Sequence, residues 1–323
     1  MAAVSNIMAA GPAALARAVD LLRAGELIGL PTETVYGLAG DGLNPAALAK
    51  IFEVKRRPLF DPLILHVAEA GGVWDLACEM PHARALAEKF WPGPLTLVLP
   101  KRENVPDLAT SGLPNVAVRV PAHPVAHALL EAFAGALAAP SANRFGRISP
   151  TDAAAVRAEL GDEVPLILDG GPCVVGLEST VLDLSGLTPV LLRAGGVPLE
   201  ELEALIGPID RARPVDERPA GPGQLKHHYA PRKPLRLVRG VAEMPTGTGA
   251  GRLVFGAVKT PDDFSGVLEN LSHSGDLREA AANFFRALRR LDEDGRVEEI
   301  YAVPLPAQGL GLAINERLER AAS

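Results

Sequence analysis

With 323 residues the chain is long enough for two domains and sizeable cores, at ~150 residues per domain. A composition of 48% hydrophobic and 22% charged residues, with a mean hydropathy of +0.15, is that of a soluble globular protein. Thirty-two basic against 39 acidic residues leave a formal charge of −7, which excludes a global electrostatic draw toward nucleic acid, so any RNA or ATP site must be a local basic patch. Cys78 and Cys173 are far apart and outside any metal-ligand spacing; they read as reduced, packed thiols of a cytosolic protein. Met1 to Ala10 lacks the basic start and long apolar run of a signal peptide. No apolar stretch approaches the ~18 residues of a spanning helix, so a soluble, cytoplasmic protein is expected.

Pro12 to Ala24 has helical apolar spacing and stops before Gly25. Glu26 to Pro31 reads as a buried strand entering a turn. Asn44-Pro45 caps a helix that carries Leu48, Ile51 and Phe52 on one side and ends in Lys55, Arg56 and Arg57 before Pro58. Strand-like runs follow at 63–67, 96–99, 116–120, 136–139, 166–168, 180–184 and 190–193, with helical segments near 83–90, 125–133, 151–160 and 199–206. Strands and helices mix without strict alternation, which predicts an α/β sheet of mixed direction. From Gly207 to Pro234 six prolines, with Gly221 and Gly223, disfavour any persistent helix or strand and mark a semi-rigid linker. Beyond it, strands at 235–238, 252–258 and 300–305 and helices at 276–291 and 310–322 predict a small second α/β domain. Gly247-Thr248-Gly249-Ala250-Gly251 precedes a strand and opens no helix, so it reads as a plain turn. There is no Walker A sequence.

Three groups of residues can carry chemistry. Lys55, Arg56 and Arg57 end a helix, where cations also relieve the helix dipole. Their place at a helix–strand junction, just before the apolar run ending in His66, is where ligand sites of open α/β sheets gather. Arginine supplies a bidentate donor for phosphate. In the second group, Ala139-Pro140-Ser141-Ala142-Asn143 leaves a strand with small residues that admit a ligand to the backbone, and Ser149-Pro150 reads as a helix N-cap with proline at its first position. The third group holds Arg119, flanked by valines on a short strand, together with Ser179 and Arg193. A buried guanidinium requires an anion, either a protein carboxylate such as Glu178 or Asp183 or the carboxylate of a substrate.

In order along the chain, these blocks resemble one family. Pro31-Thr32-Glu33-Thr34-Val35-Tyr36-Gly37-Leu38, Lys55-x-Arg57-Pro58, Asp61-Pro62-Leu63-Ile64-Leu65-His66, Trp91-Pro92-Gly93-Pro94-Leu95-Thr96, Val118-Arg119-Val120-Pro121, Ala139-Pro140-Ser141-Ala142-Asn143 and Glu178-Ser179-Thr180 are similar to motifs of the YrdC-type threonylcarbamoyl-AMP synthases. His227-His228-Tyr229-Ala230-Pro231, Ser274-Gly275-Asp276-Leu277 and Gly309-Leu310-Gly311-Leu312-Ala313-Ile314-Asn315 resemble the linker and extra domain of the family's long form. The resemblance implies a twisted mixed-sheet catalytic domain with a concave basic cavity over residues 1–206. It further implies a linker at 207–234 that contributes to the site, and a small Rossmann-like α/β domain at 235–323. It implies synthesis of threonylcarbamoyl-AMP from L-threonine, bicarbonate or CO2, and ATP, with pyrophosphate released. The product then passes to a tRNA threonylcarbamoyl transferase complex.

Carried over by position, L-threonine contacts fall on Thr34, His66, Arg119, Ala139 and Ser179. ATP contacts fall on Arg57, Asp61, Asn115, Ser141, Asn143, Ser149, Arg193 and Tyr229, and Lys55, Arg57, His66 and Arg119 are the expected catalytic groups. Mg2+ is expected to arrive with ATP, without a dedicated protein site, and no organic cofactor is expected. Arg119 would clamp the threonine carboxylate, His66 is the nearest candidate base, and Arg56 is left to solvent. Two positions depart from the family pattern: Asp61, where asparagine is usual, and Gln224-Leu225-Lys226, where a methionine-containing stretch is usual. A hydrogenase-maturation carbamoyltransferase would need cysteine-rich zinc modules that two cysteines cannot build. A double-stranded-RNA-binding protein would need a broad basic surface.

Overall fold

The structure is a computed structural model that describes residues 6–212, 219, 221, 229–259 and 261–322. The first helix, Pro12–Arg23, begins on proline at N1 and buries Ala14, Ala18, Val19 and Leu22. Asn44 caps Pro45–Lys55 by accepting from Ala46 N at 2.9 Å, as its sequence predicts. That helix closes on Arg56 at φ 53°, with the Arg56 side chain in solvent.

Among the described residues, eleven strands form one sheet. Their spatial order is Ile7–Ala9, Ile167–Asp169, Ile28–Leu30, Gly37–Asp41, Leu137–Ala138, Ile64–His66, Asn115–Arg119, Leu95–Pro100, Thr180–Asp183, Val190–Arg193 and Asp210–Arg211. Parallel and antiparallel neighbours are mixed, as expected. The register sets the site. Ile64–His66 runs parallel to Asn115–Arg119 with His66 beside Arg119, so both side chains leave the carboxyl ends of adjacent strands, where α/β sheets bind ligands. On the far side of Leu95–Pro100, Thr180 pairs with Leu95 and Arg193 with Val181, which brings Ser179 and Arg193 to the same sheet end.

Several strands differ from the reading of the sequence. Gly37–Asp41 has no β-branched residue and two glycines, yet it is a strand held between Ile28–Leu30 and Leu137–Ala138. Asp210–Arg211, inside the expected linker, adds an edge strand parallel to Val190–Arg193. Gly249 and Gly251 belong to the strand Gly249–Val254, and Gly249 bends at φ 87° where the register shifts. Val267–Asn270 also joins as a strand. Most of 213–228, with the Gln224-Leu225-Lys226 departure and His227-His228, lies outside the described residues.

The second sheet, Leu235–Leu237, Val297–Ala302, Gly249–Val254 and Val267–Asn270, is parallel throughout. It is covered by the helices Leu277–Glu293 and Leu310–Ala321. Asp276 caps the longer helix by accepting from Arg278 N and Glu279 N. The two domains share one apolar core that includes Leu177, Leu202, Tyr229, Phe284, Phe285 and Leu318. At Gly176 (φ 72°) a Cβ would lie 2.5 Å from Ala281 O, so glycine lets the catalytic domain rest on the long helix. Cys173 is buried as expected, but Cys78 is exposed, so the two thiols are not equivalent. No helix among the described residues is long and apolar enough to cross a membrane.

Candidate active site

The Pro31–Tyr36 segment folds around Thr32. Its hydroxyl donates to Val35 O at 2.6 Å and accepts from the amides of Thr34 and Val35, a local turn that competes with regular structure. The turn places Glu33 and Thr34 against Arg119. Arg119 donates through Nε to Gly93 O at 3.1 Å, through one terminal nitrogen to Thr34 Oγ1 at 3.0 Å, and through the other to Glu33 Oε1 at 2.6 Å. The buried arginine therefore does have an anionic partner, but that partner is Glu33 and neither Glu178 nor Asp183. Three of its five N–H groups are committed, which leaves one on each terminal nitrogen for a substrate carboxylate.

His66 is buried, with Nδ1 3.2 Å from Ile64 O. Burial first, and then the charge of Arg119, push its pKa down to about 3. It is a neutral imidazole across the physiological range and too weak a base to hold a proton there. Next to it, Ser179 Oγ lies 2.7 Å from Thr96 Oγ1 and accepts from Arg193 at 3.1 Å. Arg193 also donates twice to Ser179 O. Gly195 allows this, because a Cβ there would lie 2.4 Å from the backbone of residues 178–180.

Opposite stands the pair Arg57–Asp61, at 2.8 Å and almost fully buried. Arg57 also donates to Asp61 O at 3.0 Å and to Pro62 O at 2.9 Å, which fixes its fork. Burial raises the Asp61 pKa against the pull of Arg57, Lys55 and Arg193. Burial likewise disfavours the charge on Arg57, which nonetheless stays protonated, as guanidinium does in proteins. The unexpected carboxylate thus serves as the partner of Arg57 through Oδ2, while its Oδ1 accepts no hydrogen bond from a described residue.

These groups line one pocket: Thr34, Arg57, Asp61, His66, Arg119, Ala139, Ser141, Ser179, Arg193 and Tyr229, joined by Glu178. About 50 Å³ of it is open, against the ~300–1,000 Å³ of typical small-molecule sites. A larger groove of about 540 Å³ beside Leu43 and Leu130 carries Glu69, Asp75 and Glu131, and no arginine or lysine lines it; its charge opposes phosphate.

Four expected residues stand behind the wall. Lys55 is buried and donates to Ser141 O at 2.5 Å and Asn143 O at 2.6 Å. Burial, then Arg57, hold its ammonium well below the usual lysine pKa. It pins the Ser141–Asn143 segment and presents no free ammonium to the pocket. Asn143 in turn donates to Arg144 O and Arg147 O. Asn115 donates to Ser185 Oγ at 2.9 Å. Ser149 is not an N-cap, because its hydroxyl donates to Glu178 Oε1 at 2.5 Å; Asp152 caps the helix Ala153–Leu160 instead. Sequence reasoning assigned no site role to Glu33 or Arg317. Nothing in the local pattern marks either one, since both acquire their roles from partners 86 and 139 residues away.

One pocket lined by three buried arginines, Arg57, Arg119 and Arg193, at the strand ends of a mixed sheet is an arrangement suited to an α/β enzyme that handles anionic substrates. The Sua5/YciO/YrdC family model, described as telomere recombination, matches residues 20–195, and the model described as threonylcarbamoyl-AMP synthase, C-terminal domain, matches residues 197–323. The threonylcarbamoyl-AMP synthase of Pyrococcus abyssi is 42% identical over 94% of this chain and 92% of its own length. That of Bacillus subtilis is 41% identical over 95% and 92%. The crystal structure of P. abyssi Sua5 complexed with L-threonine superposes with a TM-score of 0.88 at 40% identity, covering 98% of this chain and 96% of that one. The chain belongs to the threonylcarbamoyl-AMP synthase family, in its two-domain form.

Proposed function

We propose that the pocket joins L-threonine, CO2 derived from bicarbonate, and ATP into threonylcarbamoyl-AMP and pyrophosphate. The observation that carries this reading is the division of one pocket into two halves. Arg119, Thr34 and Ser179 form a carboxylate- and hydroxyl-binding half, and Arg57 and Arg193 form a phosphate-binding half. The similar P. abyssi protein holding L-threonine supports it.

The free N–H groups of Arg119 hold the threonine carboxylate, and Thr34 and the backbone at Ala139 orient its amine and hydroxyl. Attack of the neutral amine on the carbon of CO2 forms the N–C bond, and the amine proton leaves to solvent. A carbamate oxygen then attacks the α-phosphorus, and the bond to the β-phosphate breaks to release pyrophosphate. Arg57 and Arg193 neutralise the charge growing on the phosphates. Much of the acceleration comes from holding three reactants in register. His66, being neutral, serves as a polar wall beside Arg119 and leaves the proton to solvent.

Mg2+ bound to the triphosphate would neutralise charge on the leaving pyrophosphate. Among the described residues no group of three or more His, Cys, Asp or Glu could hold a metal by itself. Magnesium commonly needs only one carboxylate besides the phosphates. Asp61 Oδ1 fits that single place, because both oxygens of Glu178 are already taken. The product would pass to a tRNA threonylcarbamoyl transferase for attachment to the adenosine beside the anticodon. Incubation with carbon-labelled bicarbonate tests the reading. Label should enter an AMP conjugate only when threonine and ATP are both present, and label that never reaches an AMP conjugate overturns it.

A further inference from the structure

The second domain reaches the pocket through two consecutive residues of the helix Leu310–Ala321. Arg317 donates through Nε to Glu178 Oε2 at 2.8 Å and through NH1 to Ala194 O at 2.8 Å. Glu316 Oε2 accepts from Ala194 N at 3.2 Å. One helix of the C-terminal domain therefore holds both backbone polar groups of the residue that directly follows Arg193. The Arg317 guanidinium also lies over the Tyr229 ring, 5.4 Å from its centroid, and Phe285 of the same domain packs on that ring at 5.7 Å. Glu178, Arg193 and Tyr229 are all pocket walls, and each of them is held directly or through its neighbour by Arg317.

The electrostatics give this contact a purpose. Glu178 is a buried carboxylate facing a pocket that must receive a triphosphate. Arg317, with no exposed surface, is its ion-pair partner, and Arg193 is the next cation to act on it. Without Arg317 the carboxylate keeps the Ser149 hydroxyl on one oxygen and loses its ion-pair partner on the other. It would then draw Arg193 toward itself and away from phosphate. A buried carboxylate left unpaired is strongly unfavourable.

We propose that Arg317 is a positioning residue for the ATP half of the site: it neutralises Glu178 and fixes Arg193 and Tyr229, so that the C-terminal domain completes the catalytic pocket. This rests on the reading of Arg193 and Tyr229 as nucleotide contacts. Arg317→Met, Glu178→Gln and the double variant, in the full chain, test it by pyrophosphate release at varied ATP and varied threonine and by the rise in melting temperature with ATP alone. Arg317→Met should raise KM for ATP at least tenfold, leave KM for threonine within about twofold, and lose the ATP-induced rise. The double variant, with no unpaired carboxylate, should recover KM for ATP to within about threefold of the unmodified chain. If Arg317→Met does not fold, Arg317→Lys keeps the charge but cannot hold Glu178 and Ala194 together, and it should raise KM for ATP severalfold. An unchanged KM for ATP in the folded variants, or a double variant no better than Arg317→Met, overturns the proposal. The melting measurement needs no turnover, so it tests Arg317 even if the assigned reaction is wrong.

Discussion

Arg119 and Glu33 form a buried ion pair at 2.6 Å, and the same guanidinium holds Thr34 on its other terminal nitrogen. The residue expected to clamp the threonine carboxylate is therefore already oriented and half-neutralised before substrate arrives. Such preorganisation lets binding proceed without reorienting the clamp. Arg119→Ala should abolish threonine-dependent turnover, with kcat/KM for threonine falling by ~100-fold or more, while the ATP-induced rise in melting temperature persists. It also strands Glu33, at ~3–5 kcal/mol of stability. Adding Glu33→Gln should recover much of the stability and none of the activity. Equal losses of ATP binding and threonine use would contradict the clamp.

His66 predicts a pH effect on stability. Its folded pKa of about 3 lies below its unfolded value near 6.5, so the unfolded chain takes up a proton that the folded chain refuses. Stability from the neutral ring is present above pH 6.5 and is lost as pH falls from 6.5 toward 3, by a few kcal/mol on the order-of-magnitude scale of linkage. His66→Asn should flatten the denaturation midpoint between pH 6.5 and 4. An unchanged slope would show that His66 titrates normally.

Asp61→Asn removes the one carboxylate paired with Arg57 among the described residues. The unliganded protein should lose stability, because a buried cation loses its partner. The phosphate of ATP then supplies the missing charge. Without Mg2+, the variant should melt lower in the absence of ligand yet show a larger ATP-induced shift than the unmodified chain, as differential binding requires. A smaller shift under those metal-free conditions would mean that Asp61 itself contacts the nucleotide favourably.

Ending the chain at Gly207 removes Tyr229 and Arg317 and takes Phe284, Phe285 and Leu318 out of the shared core. The shortened protein should melt lower and release pyrophosphate at least tenfold more slowly. Unchanged turnover would make the second domain a passive appendage.

Much of this was legible in the sequence because short motifs set local geometry. Asn44-Pro45 announces its helix, and an arginine between valines announces a buried charge. The identity of that charge's partner was not legible, since Glu33 reaches Arg119 only through the Thr32-centred turn and the placement of the strand Asn115–Arg119 in the sheet. Lys55 misled for a similar reason. A cation at a helix end reads as facing solvent or phosphate, but the segment leaving Leu137–Ala138 folds over it and takes its donors. The strand Gly37–Asp41 lacks β propensity and exists because two neighbours pair with it. Contacts across the domain boundary, above all Arg317 with Glu178, leave no trace in local pattern.

The most direct test is pyrophosphate release by the full chain with threonine, bicarbonate and ATP, each omitted in turn. Release should require all three, and omission of threonine or bicarbonate should reduce it to the level seen without protein. Release that continues undiminished without threonine would contradict the assigned reaction.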